Sequence, residues 1–235
     1  LRDAAPARNL RDVRRILRPS SVFRQQWPLF ALILFIAAIH ALQVILGEAF
    51  EDRFMVVPAD VMEALRSLRS GDVSASASLF TLITAALLHG NVEHLLWNML
   101  YLWIFAAIAA ELLGHRWVMV VFVSTAICGS ICHVALNPEE MIPMLGASGA
   151  VMGFEGLYLG MAVRWHLPNP HVWPIARPVP PAHLAAVAVL GLLFDLSGYL
   201  GGDQGIAYGA HLGGFIGGMV LGAAVVPMPR VALPR

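Results

Sequence analysis

Six apolar stretches, at about residues 28–46, 91–113, 117–136, 147–164, 183–200 and 206–226, leave this chain few ways to fold. Each approaches or reaches the ~20 residues that a helix needs to cross a hydrocarbon layer. Backbone polar groups in such a layer must be satisfied within their own segment, so each stretch is expected to be helical. Only 13% of the 235 residues are charged, roughly half the share of a soluble domain. The expected fold class is therefore an all-α membrane protein, with six transmembrane helices in one bundle.

The arginines orient that bundle. All fifteen basic residues are arginine. Seven of them fall in residues 1–27 against Asp3 and Asp12, in a segment without the short apolar core of a cleavable signal. With this segment inside, twelve arginines lie on the cytoplasmic side, and Arg53, Arg66 and Arg69 lie outside in the first loop. Basic residues favour the cytoplasmic face, so both termini are expected there, with residues 48–78 and 137–145 outside. The basic segment has no aromatics among its first six arginines and only modest charge density, so no nucleic-acid partner is expected; the partner is the lipid bilayer. In the first loop, Asp60-x-x-Glu63 reads as a helix start, with Val61, Leu65 and Leu68 on one face. A short helix in the membrane interface fits that pattern. Six prolines in residues 165–182 exclude a helix there. The division is a basic segment (1–27), a six-helix domain (28–226) and a short cytoplasmic tail (227–235).

Two helices carry glycine patterns. After Ser148, glycines fall at 149, 153, 156 and 160; Gly209, Gly213 and Gly217 repeat every fourth residue in the last stretch. Bare helix faces let backbones approach closely, so these two stripes are expected to face each other. Each helix mouth holds a polar group, Ser148 in one and His211 in the other, suggesting a nucleophile and its base. His94 and Asn98, four apart, share a face of the second stretch. Alone they read as interhelical hydrogen-bonders, metal ligands or donors to an oxyanion, and asparagine is a poor metal ligand. With Ser148 and His211 at the same depth, the oxyanion reading leads. Ser148 alone would pass for an N-cap, and Gly-Ala-Ser-Gly is not the strand-borne Gly-x-Ser-x-Gly elbow. Cys128, Cys132 and His133 could be read as a metal site, but small residues packed in a helix fit better. No metal or other cofactor is expected.

Gly146-Ala-Ser-Gly149, His94-x-x-x-Asn98 and Ala210-His211-x-x-Gly214, in this order across residues 28–226, resemble a rhomboid intramembrane serine protease. His89 and the run Glu111-Leu-Leu-Gly-His-Arg116 match further positions of that family. The resemblance implies a Ser148–His211 dyad without an aspartate, with His94, Asn98 and the Ser148 backbone N–H holding the oxyanion. His89, Gly146, Gly149 and Met152 are implied supporting residues. Met152 stands where some relatives place an aromatic residue under the histidine ring, and the first loop lacks the Trp-Arg pair of some members. The implied substrates are single-span membrane proteins cut near the outer face, and the implied location is a bacterial inner membrane. Glu155 has no assigned role, and Asp195 is read as structural. The rival readings are a non-catalytic relative that binds membrane segments and a small transporter; the latter would need an inverted repeat, which is not seen.

Overall fold

The computed structural model describes residues 19–167, 181–201, 205–229 and 232–234, so most of the arginine-rich segment and the proline-rich loop lie outside the described residues. Seven helices organise it: α1 (Pro19–Leu46), α2 (Pro58–Arg69), α3 (Val92–Leu113), α4 (His115–Leu136), α5 (Ser148–Arg164), α6 (Pro181–Gly201) and α7 (Tyr208–Val220). Among the described residues, five helical segments are long and apolar enough to cross a membrane: Gln26–Leu46, Val92–Leu113, His115–Leu136, Ala182–Gly201 and Tyr208–Val225. The remaining apolar helix, α5, has 17 residues, about 25 Å of helix.

Several boundaries differ from the sequence reading. Helix α1 begins at Pro19 rather than Pro28, because proline suits the first helical turn and Pro28 is accommodated inside. Its buried face, Leu29, Leu32, Ile36, His40 and Gln43, steps by three or four and packs on α3. Only Gly114 separates α3 from α4, and its φ of 93° makes that reversal accessible to glycine. A π-helical turn, Leu221–Val225, continues α7. The bundle is all-α, with one two-residue strand pair at its edge: β1 (Trp165–His166) pairs antiparallel with β2 (Leu233–Pro234) at the end of α5. There Arg164 donates to the Val226 carbonyl at 3.2 Å and lies 4.3 Å over the Trp165 ring.

The first loop is folded rather than loose. Helix α2 starts at Pro58, ahead of the expected Asp60, and buries Val61 and Ala64 while Leu65 is exposed. Its inner face is thus narrower than the Val61–Leu65–Leu68 pattern implied, because the small Ala64 meets the bundle. Val56, Val61, Ala85, Val134, Met144 and Ala210 form one apolar cluster, seating the loop on α4 and α7.

The two glycine stripes do not meet as the spacing suggested. The most extensive helix contact is between α5 and α7, but the α7 glycines in it are Gly214 and Gly218, followed by Gly222 of the π-helical turn. Added methyl groups at Gly214 and Gly218 would run into the Gly149 and Gly153 carbonyls, and one at Gly222 into the Leu157 carbonyl. The expected stripe, Gly209, Gly213 and Gly217, faces α4 instead, against His133, Cys132 and Cys128. Helix α7 is bare on two faces because it is wedged between two helices, and a four-residue repeat read alone could not say which stripe faced which neighbour. Cys128 and Cys132 are free thiols packed against those α7 glycines.

Candidate functional site

Ser148 is the first residue of α5, His94 the third of α3 and His211 the fourth of α7. The three helices run in the same direction, so their N-terminal mouths gather the polar groups at one end. Ser148, His211, His94, Asn98 and Met152 all line one cavity of about 700 Å³, together with Glu155 and Asp195. The sequence-derived residues are therefore brought together. Among the described residues, however, no hydrogen bond joins Ser148 to His211.

Ser148 is not a cap. The N-cap position of α5 is Ala147, and no side chain caps the helix start. The hydroxyl is half-buried at the first turn of α5, whose N–H groups favour negative charge. Gly146 precedes it with φ of 128°. A methyl group at Gly146 would lie 2.8 Å from His94 Cε1, 2.9 Å from His94 Nε2 and 3.8 Å from Ser148 Oγ. Backbone conformation and space both require glycine, and the imidazole and the hydroxyl flank the gap it leaves. A methyl at Gly149 would lie 3.1 Å from the Ala210 carbonyl oxygen, next to His211.

The loop leading to Ser148 is held from several sides. The Gly146 N–H donates to the Ala85 carbonyl at 2.9 Å, and Met144 and Val56 exchange backbone hydrogen bonds at 2.7 and 3.0 Å. His89, fully buried ahead of α3, accepts a long 3.5 Å hydrogen bond from the Ala147 N–H through Nε2. Burial, reinforced by His94 and His40 nearby, holds the His89 imidazole down to about 3, which keeps it neutral and able to accept. The Gln43 side chain clamps the His89 backbone: the His89 N–H donates to Oε1 at 3.0 Å, and Nε2–H donates to the His89 carbonyl at 3.3 Å. The rings of His40, His89 and His94 stand edge-on in series, with centroids 6.4 and 5.2 Å apart. The sequence reading missed His40 and Gln43. The signal was present, since a histidine and a glutamine three apart inside an apolar run must face the bundle.

On α3, Asn91 caps the helix by accepting from the His94 N–H at 2.8 Å. Asn98 donates one amide N–H to the His94 carbonyl at 2.9 Å, and its second N–H remains for the cavity. Met152 packs with Ala188 and Phe215. The aromatic ring beside His211 belongs to Tyr208 on its own helix, edge-on at 6.4 Å. Glu155 is buried on α5, and its Oε2 has no hydrogen-bond partner among the described residues. Asp195, read from sequence as structural, reaches His211: Nδ1 and Oδ2 are 2.7 Å apart. Among the described residues no group of three or more His, Cys, Asp or Glu is placed to hold a metal ion.

Residues 76–228 match the family model described as the Rhomboid domain. YdcA of Bacillus subtilis is 34% identical over 89 residues, covering 38% of this chain and 44% of that protein. The Rhomboid protease GluP of the same organism is 27% identical over 157 residues, covering 67% of the chain and 28% of GluP. The mitochondrial Rhomboid protein 1 of Saccharomyces cerevisiae is 30% identical over 153 residues, covering 62% of the chain and 41% of that protein. The chain thus spans less than half the length of each of these relatives.

Proposed function

The chain belongs to the rhomboid family, and on that premise we propose that it is an intramembrane serine endopeptidase with Ser148 as nucleophile and His211 as base. The observation that carries the reading is the shared cavity: hydroxyl, imidazole and the polar groups of His94 and Asn98 open into one space at the mouths of three parallel helices. A serine hydroxyl is a weak nucleophile until a base takes its proton, and an apolar bundle offers little else to do so. In the proposed reaction Ser148 Oγ attacks the scissile carbonyl while its proton passes to His211. His211 then returns the proton to the departing amine, and water hydrolyses the acyl-enzyme. His94, Asn98 and the Ser148 backbone N–H are the proposed donors to the oxyanion, at a helix N-terminus that already favours negative charge.

The proposed topology has six spans, with α5 the shortest. A helix of about 25 Å is shorter than the ~30 Å hydrocarbon core, which supports a Ser148 set below the outer face. Single-span proteins unwound near that face are the proposed substrates, and both termini are placed in the cytoplasm. A second reading, a relative that binds membrane segments without cutting them, is favoured by one observation: no hydrogen bond joins Ser148 to His211 among the described residues. Catalytic contacts commonly tighten only when substrate is bound, so the protease reading stands ahead.

The test is cleavage of a single-span substrate by purified protein in liposomes, together with uptake of a fluorophosphonate probe. Ser148→Ala and His211→Ala should each abolish both signals while leaving the protein folded. The double variant should be no worse than either single one, because the two residues act as one unit. Robust cleavage by Ser148→Ala protein would overturn the reading.

A further inference from the structure

We infer that Asp195 is a positioning residue for His211, making this site a Ser148–His211–Asp195 triad in place of a two-residue dyad; the inference rests on the protease reading above. The observation is geometric. Asp195 Oδ2 lies 2.7 Å from His211 Nδ1, the two side chains are 19% and 14% exposed, and both line the cavity that holds Ser148. A carboxylate in an apolar helix is costly and ordinarily faces a cavity or a partner; this one does both.

With Asp195 ionised and His211 neutral, the contact assigns which imidazole nitrogen is free. An ionised carboxylate only accepts hydrogen bonds, so Nδ1 must carry the proton that bridges to Asp195. Nε2 is then left with its lone pair, the form a general base requires. When Nε2 takes the Ser148 proton, the imidazolium stays hydrogen-bonded to a negative group, and the carboxylate itself gains no proton. The proton on Nε2 leaves again with the amine. The placement also accounts for Met152. No aromatic residue occupies the position four after Ser148, and His211 is held from the α6 side by Asp195 and flanked by Tyr208. Glu155 lines the same cavity but makes no hydrogen bond to His211 among the described residues, and it is not part of the proposal.

The test compares wild type, Asp195→Asn, Asp195→Ala and Asp195→Glu as full-length protein in liposomes. Three readouts are taken: fluorophosphonate labelling rate, kcat and KM on a single-span substrate, and ring ¹⁵N shifts of His211 assigned by difference from His211→Gln. In wild type, Nδ1 should appear protonated and Nε2 unprotonated. Both Asn and Ala should abolish that fixed tautomer and lower kcat and labelling by about 10²-fold or more, the scale of a mispositioned general base, with KM little changed. Asp195→Glu should recover part of the rate. If Asp195→Asn lowers thermal stability alone, leaving labelling, kcat and the ¹⁵N signature as in wild type, the positioning role is overturned and the protease reading survives. Wild-type protein that takes up no probe overturns the protease reading, and the catalytic role of Asp195 with it.

Discussion

Helices α5 and α6 are both apolar and comparable in length, 17 and 21 residues, yet they are held in opposite ways. Twelve residues of α5 are buried, whereas among the described residues of α6 only Leu184 and Ala188 are. Helix α5 packs by its backbone, with Gly149 and Gly153 against Gly214 and Gly218 of α7. Close packing, and not a hydrophobic driving force, holds helices together in lipid, and α5 has it along most of its length. Helix α6 leaves Leu193 and Leu200 exposed, borders the cavity beside Ser148 with Val187, Leu190 and Phe194, and touches the bundle sparsely. The residue that gives Ser148 its place is therefore built on a rigid support. The carboxylate that would aim His211 sits on the most weakly packed of the long helices, where the Asp195–His211 bond is itself a tether.

The comparison can be broken most sharply at the α5–α7 seam. Gly218→Leu should push α7 off the Gly153 carbonyl, costing at least ~1–3 kcal/mol as an overpacked core does. Cleavage and thermal stability in detergent should fall together. A Gly218→Leu protein with unchanged melting behaviour would mean that α5 is not held by backbone contact.

A medium effect is expected at the support beneath Ser148. Gln43→Ala removes the clamp on His89 and leaves two buried backbone groups unpaired, at a cost of about 1–3 kcal/mol. Activity should drop further than stability accounts for, since the Ala147–Ser148 turn loses its backing; activity per folded molecule measured beside chemical denaturation checks this. An activity loss no larger than the loss of folded protein would confine Gln43 to a structural part.

The smallest effect belongs to α6. Leu193 is half-exposed toward lipid, and Leu193→Ala should shift stability by no more than about 0.5 kcal/mol, as exposed substitutions do. Its cleavage rate in liposomes should remain near wild type. A large stability loss there would show that α6 is held as firmly as α5 and would erase the contrast.

Much of this site could be read from residue type and spacing, since His94, Asn98, Ser148 and His211 are polar groups that lipid cannot solvate. An apolar run that carries such a group must turn it inward, whereas a serine at a helix mouth would by itself pass for an N-cap and took its meaning from His211. His40 and Gln43 obeyed the same rule and could have been read the same way. Spacing also showed that α5 and α7 would be bare of side chains. It could not show which glycines met which, because α7 presents two glycine faces separated by one residue, and only the positions of α4 and α5 around it assign Gly213 to one and Gly214 to the other. Asp195 lay further out of reach. It stands 16 residues from His211 along the chain, on a different helix, and nothing local to either residue reports their approach. Composition and periodicity by themselves determined a helical membrane bundle with its polar groups at one end. The contact between carboxylate and imidazole depends on how α6 and α7 lean against each other, and only the tertiary structure decided that.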